Sequence, residues 1–94
     1  MSSITSPESV DLSKEQQSDE YCIVVYNNDV TSFPEVITIL SIALQIDADR
    51  AELYAWDIHL LGSARVYYGS RGDCETRAEI ISKIGIRAEV CAAQ

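Results

Sequence analysis

The apolar run Cys22-Ile-Val-Val-Tyr26 stops at three consecutive polar residues, Asn27-Asn28-Asp29, and the chain then changes its hydrophobic spacing. The β-branched and aromatic content of residues 21–26 reads as a buried strand, and the asparagines and aspartate suit the turn that ends it. Ser32-Phe-Pro-Glu35 follows with the spacing of a capping box, and Pro34 falls in the first turn, where a missing N–H costs nothing. From there Phe33, Val36, Ile37, Leu40 and Leu44 recur at intervals of three and four, so a helix lays one apolar stripe on the core.

The remaining elements follow from the same signals. Asp49 is the expected cap of a second helix that runs to about Leu61 and is closed by Gly62. Residues 64–68 are short, aromatic and bounded by Gly62 and Gly69-Ser70, as in a strand. Asp73 is the expected cap of a third helix with the stripe Cys74, Ala78, Ile81 and Ile84, and Gly85 supplies the left-handed residue that ends it. Residues 86–91 make the last strand. The order β-α-α-β-α-β predicts an α+β sandwich, with three helices on one face of a three-stranded antiparallel sheet. Residues 1–20 are rich in Ser, Glu, Gln and Asp and cannot bury enough surface to offset their ordering entropy. They read as a disordered acidic N-terminal tail, and the folded domain spans 21–94.

Composition narrows the function. Ninety-four residues, 47% of them hydrophobic, suffice for one small core. No apolar run approaches the roughly 20 residues that span a bilayer, and the N-terminus lacks a basic patch followed by an apolar block, so a cytoplasmic location is expected. A net charge of −8 argues against nucleic acid and anionic membranes, which require clustered Lys and Arg, and favours cationic partners. Cys22, Cys74 and Cys91 are odd in number, far apart in sequence and without metal-ligand spacing. Buried thiols are expected, with no metal and no cofactor. Trp56 and the five tyrosines lack the interleaved basic residues of a base-stacking platform. Arg71-Gly72-Asp73 has the form of an integrin-binding tripeptide, but a helix cap accounts for Asp73.

The run from Asn27 to Thr31, together with His59, offers side-chain carbonyls, a carboxylate and an imidazole with no Lys or Arg among them, a set suited to a positively charged amine. Ala55, Ile58 and His59 lie at i, i+3 and i+4 and so share one helix face. With Phe33 and Val36 they could wall an apolar pocket beside those acceptors. Each residue also has a plain explanation. A histidine near a helix end complements the dipole, Asn27 and Asp29 are ordinary turn residues, and the apolar four could be core.

From residue 21 to about residue 83 the chain resembles the ClpS family of N-degron adaptors, and is identified as a divergent member. The family's Asn-Asp-Asp-x-Thr loop corresponds to Asn27-Asn28-Asp29-Val30-Thr31, its His-x-x-Gly to His59 and Gly62, and its third-helix Glu-Thr-basic run to Glu75-Thr76-Arg77. The resemblance implies an adaptor and not an enzyme. Such an adaptor binds the free, bulky hydrophobic N-terminal residue of a substrate and delivers it to a Clp-type AAA+ unfoldase of the ClpA or ClpC class. It further implies that Asn27, Asp29 and His59 hydrogen-bond the α-amino group and first peptide unit, with Thr31 close by. Phe33, Val36, Ala55 and Ile58 then line the hydrophobic pocket, and Arg77 belongs to the unfoldase-docking side. Asn28 replaces an acid, Ser32 a proline, Phe33 and Ala55 common methionines, and Gly72 a usual acid, so pocket shape and docking surface both differ from the family pattern. If His59 accepts a proton from the ligand it must be neutral, and affinity is then expected to fall on acidification.

Two other classes remain open at this level. One is a ClpS-like interaction or regulatory module without degron binding. The other is a small cysteine hydrolase using Cys22 or Cys74 with His59 and an acid.

Overall fold

The first apolar run becomes the middle of the sheet, which explains why it is the most thoroughly apolar of the three. A computed structural model describes residues 20–93. The expected tail lies outside them except for Glu20, which opens strand β1 (Glu20–Tyr26). β1 pairs antiparallel with β2 (Ser63–Ser70) on one side and with β3 (Arg87–Ala92) on the other, giving the order β2-β1-β3. Ile23 pairs with Tyr67 but Val24 with Arg65, so Val66 is an extra residue in β2. A bulge of this kind re-aims neighbouring side chains, and both Val66 and Tyr67 pack on the core.

Three helices cover one face: α1 (Phe33–Leu44), α2 (Ala48–Leu61) and α3 (Arg71–Ser82). Side chains alternate along a strand, so Ile23 and Val25 point into this layer, where they meet Leu40, Ile58 and Ile81 from the three helices. Cys22, Val24 and Tyr26 point to the other face. The architecture is the α+β sandwich that the sequence implies.

The helix starts separate the right expectations from the wrong ones. The capping box is present: Ser32 Oγ accepts from the Glu35 N–H at 3.3 Å, and the Ser32 N–H donates to Glu35 Oε1 at 2.9 Å. α2 is capped by Asp47 and not by Asp49, with Asp47 Oδ1 accepting from the Arg50 N–H at 2.8 Å. Asp49 lies in the first turn, where a carboxylate still complements the dipole. α3 is capped by Ser70, whose Oγ accepts from the Asp73 N–H at 3.2 Å. Asp73 is three residues further in, and its carboxylate serves a different contact. β2 is longer than the residues 64–68 expected of it, because Gly69 pairs with Tyr21 within the ladder instead of ending the strand. A Cβ there would sit 3.0 Å from Tyr67 Cε2, so this glycine permits close packing. Gly62 and Gly85, with φ of 91° and 92°, hold the left-handed positions after α2 and α3.

The cysteines also need correction. Cys22 and Cys74 are buried, but Cys91 is exposed. Far apart in sequence, Cys22 and Cys91 face each other across the β1–β3 ladder.

Candidate functional site

The end of β1 delivers the polar run to the C-terminus of α2, and backbone bonds hold the two together. The Asn27 N–H donates to the Gly62 carbonyl at 2.9 Å, and Gly62 N–H in turn donates to the Ile58 carbonyl at 3.0 Å. Beyond Asn27 the loop is organised by Asn28. Its Oδ1 accepts from the backbone N–H groups of Thr31 at 2.9 Å and Val30 at 3.2 Å, while its Nδ2 donates to the Gly85 carbonyl at 3.1 Å. One side chain therefore shapes the turn and ties it to the chain beyond α3. Sequence reading treats Asn28 as a turn residue and a replaced acid, without assigning it these bonds. The available signal was the habit of asparagine side chains of bonding backbone groups two or three residues on.

This arrangement leaves a cavity of about 250 Å³ between the loop and the two helices. Asn27, Asn28, Asp29 and Thr31 line its polar side. Phe33 and Val36 of α1, with Ala55, Ile58 and His59 of α2, line the rest. All eight residues expected to share a pocket thus do so. Asn27, Asp29 and His59 are exposed at the rim, where their acceptors can meet an incoming ligand, whereas Val36, Ala55 and Ile58 are buried. The Thr31 hydroxyl is buried and has no hydrogen-bond partner among the described residues.

An aromatic cluster stiffens the rim. The ring of Phe33 lies 4.7 Å from that of Trp56, and His59 stands edge-on to both at 6.3 and 6.1 Å. Such tilted and T-shaped contacts fix ring orientation, so His59 is held by packing although it is exposed. Trp56, half out in solvent, has no place in the pocket expected from the sequence. Its tie to the pocket wall depends on how α1 and α2 cross, which residue spacing does not give.

Arg77 lies on another surface, between α1 and α3. Its Nη1 donates to the Ala43 carbonyl at 2.8 Å, its Nε to Asp73 Oδ1 at 3.1 Å, and its guanidinium lies 4.5 Å over the Tyr67 ring. The Tyr67 hydroxyl donates to Asp73 Oδ2. That bond, aided by Arg77, holds the Asp73 carboxyl below its usual range, and the same bond raises the Tyr67 phenol. Arg77 is therefore a strut between helices, with its side chain 20% exposed.

The cysteines are not brought to His59. Neither Cys22 nor Cys74 lines the pocket, and burial pushes both thiols up, away from nucleophilic character. Among the described residues no cluster of side chains could hold a metal ion, and no helix is long and apolar enough to cross a membrane.

Comparison with known proteins bears on this geometry. The family model for the ATP-dependent Clp protease adaptor protein ClpS matches residues 16–89, most of the chain. Among solved structures, Agrobacterium tumefaciens ClpS2 bound to L-phenylalaninamide superposes with a TM-score of 0.74 at 22% identity, covering 78% of this chain and 95% of that one. At that identity the likeness establishes the fold. No curated protein matches the sequence.

Proposed function

The chain belongs to the ClpS family of Clp protease adaptors, and from that premise we propose that it captures the free N-terminus of proteins beginning with a bulky apolar residue and passes them to a Clp-type AAA+ unfoldase of the ClpA or ClpC class. The observation that carries the proposal is the pairing of exposed acceptors with a buried apolar floor in one cavity. An α-ammonium presents three donors and a full charge, and charge-assisted bonds to it are about twice as strong as neutral ones. Asn27, Asp29 and His59 supply the acceptors. The whole cavity, acceptors included, holds about 250 Å³, against the ~150 Å³ of an apolar cavity known to take up benzene, which leaves room for a phenyl ring beside the amine. Phe33, Val36, Ala55 and Ile58 would surround it, with Thr31 beside the first peptide unit.

Burial of such a side chain contributes about 1.5–3 kcal/mol, which separates bulky apolar from small N-terminal residues by roughly ten- to 150-fold. The amide of phenylalanine bound to the solved relative has both features, a free α-amino group and an aromatic ring. For delivery, α3 offers a charged docking surface in the exposed Arg71–Glu75 ion pair, with Arg77 on the same helix tying it to α1.

Fluorescence anisotropy of labelled peptides beginning with Phe, Leu, Tyr, Trp, Ile or Ala, each free and N-acetylated, tests the first half. The expected result is binding of a bulky apolar subset that disappears on acetylation and in His59→Ala. Absence of binding by every free N-terminus would refute degron capture and leave an interaction module on the ClpS fold. Delivery is tested by degradation of a Phe-initiated reporter with the unfoldase, its peptidase and ATP, which the adaptor should accelerate.

A further inference from the structure

The sheet face turned away from the helices carries a second feature that the pocket does not use. Cys22 and Cys91 are directly opposed in the β1–β3 ladder, and their sulfurs lie 3.9 Å apart. The Ala93 N–H donates to the Glu20 carbonyl at 3.1 Å. Hydrogen-bonded pairs alternate along an antiparallel ladder, so Cys22 and Cys91, two residues inward on each strand, form another such pair with Cα atoms about 5.5 Å apart. That spacing lies within the roughly 4.4–6.8 Å that a disulfide bridges, and closing the gap takes side-chain rotation together with a small approach of the two strands, because cross-strand Cβ atoms lie about 4.5–5.5 Å apart and a disulfide holds them at about 3.5–4.5 Å.

We infer that Cys22 and Cys91 form a cross-strand dithiol that a peroxide oxidant, hydrogen peroxide in the simplest case, converts reversibly to a disulfide. The two sulfurs have different parts in it. Cys91 is exposed and meets the oxidant, whereas Cys22 is buried beside it. The Cys91 thiolate attacks one peroxide oxygen, the O–O bond breaks, and the hydroxide released takes up the proton that the thiol had lost and leaves as water. The product is a sulfenic acid on Cys91. Cys22 sulfur then attacks the sulfenic sulfur, the S–O bond breaks, and the departing hydroxide leaves as a second water with the Cys22 proton. Two thiols and one peroxide give one disulfide and two waters.

Burial and the neighbouring Cys91 sulfur push the Cys22 thiol up, and Arg65 opposes them. The shift makes Cys22 a slow nucleophile, and its resolving part rests on the 3.9 Å that separates it from the Cys91 sulfur. Cys74 stands apart, buried in the core on the helix side of the sheet. A disulfide exposed on its Cys91 side is open to reduction by small thiols. Its ring would span nearly the whole domain and pin edge strand β3 to β1, so oxidation should raise the melting temperature by about 10 °C or more. The pocket, on the far side of the sheet, should keep its ligand affinity.

The test is to treat the full chain with hydrogen peroxide at neutral pH. Intact mass should fall by about 2 Da, for the two thiol hydrogens. Accessible thiols under denaturing conditions should drop from three to one, and peptide mapping should join the segments holding Cys22 and Cys91. Dithiothreitol should reverse both the mass change and the gain in melting temperature. Cys74→Ala should behave like wild type, and Cys91→Ser should lose the response. Gain of oxygen on Cys91 with Cys22 still a thiol, or dimers linked through Cys91, would overturn the inference. So would a disulfide that includes Cys74.

Discussion

Replacing Ala55 by methionine puts the pocket's size to direct use. Ala55 is 2% exposed, and its methyl group forms part of the cavity wall one helical turn before His59. Methionine adds three heavy atoms beyond Cβ. If these occupy space that the bound side chain otherwise fills, they exclude up to three methylene-sized groups at ~0.8 kcal/mol each, a loss of at most about 2.4 kcal/mol or fifty-fold. Methionine itself offers apolar contact, so a ten-fold weakening of Phe-initiated peptide is the working expectation, with Ala-initiated peptide nearly unchanged. Phe33 of α1, a large ring packed at a tilt against Trp56, also lines the cavity. Phe33→Met in the same chain should return the space and recover most of the Phe affinity, since volume-conserving exchange across a cavity is the best tolerated. The double-mutant cycle should therefore show favourable coupling of the size expected for residues sharing one cavity, about 1 kcal/mol or more. Anisotropy titrations of the four proteins with Phe- and Ala-initiated peptides supply the cycle, and thermal melts check that each is folded. Unchanged Phe affinity in Ala55→Met, or strict additivity in the double variant, would show that the bound ring does not contact both residues.

Asn28→Ala removes two acceptor bonds and one donor bond that shape the loop, so peptide affinity should fall several-fold although Asn28 is not among the proposed ligand acceptors; an unchanged titration would refute its positioning part. Arg77→Met keeps the stem but loses the charge-assisted bond to the Ala43 carbonyl and the stack on Tyr67. A cost of about 2 kcal/mol is expected, read as a melting temperature lowered by roughly 10 °C. The Asp73 carboxyl is held low first by the Tyr67 hydroxyl and then by Arg77, so its contribution is present above the ordinary carboxylate range near ~3.9 and is lost as pH falls through the lowered value. Compared by thermal melts from pH 6 to pH 2, Asp73→Asn should lag wild type most at pH 6, and a gap that widens on acidification would contradict the pairing.

Most of the fold was legible because its signals are local. The capping box at Ser32, the stripe through α1 and the glycines after α2 and α3 each depend on residues within a turn or two. The mistaken caps arose where several acidic and hydroxyl residues compete over three positions. Asp47 and Asp49 are equally good caps by type, and the extension of β2 to Ser70, which moved the start of α3, depends on Gly69 pairing with a strand far away in sequence. The pocket residues were legible in part from the i, i+3, i+4 spacing of Ala55, Ile58 and His59. Their meeting with Asn27 and Asp29 came from the family pattern, since the bond from Asn27 to Gly62 that joins them is not encoded by spacing. The Cys22–Cys91 pairing was out of reach for the same reason. Strand register decides it, and register is set by how the whole core packs.

The central claim is that the pocket recognises a free α-amino group together with an apolar side chain. Amide chemical-shift mapping of the isotopically labelled chain, titrated with L-phenylalaninamide and separately with its N-acetyl form, examines both halves at once. The free amine should shift the resonances of residues 27–31 and 55–59, leaving Cys22 and Cys91 on the opposite sheet face undisturbed, and the acetylated compound should shift none of them. Equal perturbation by the two compounds, or shifts centred elsewhere on the domain, would contradict it.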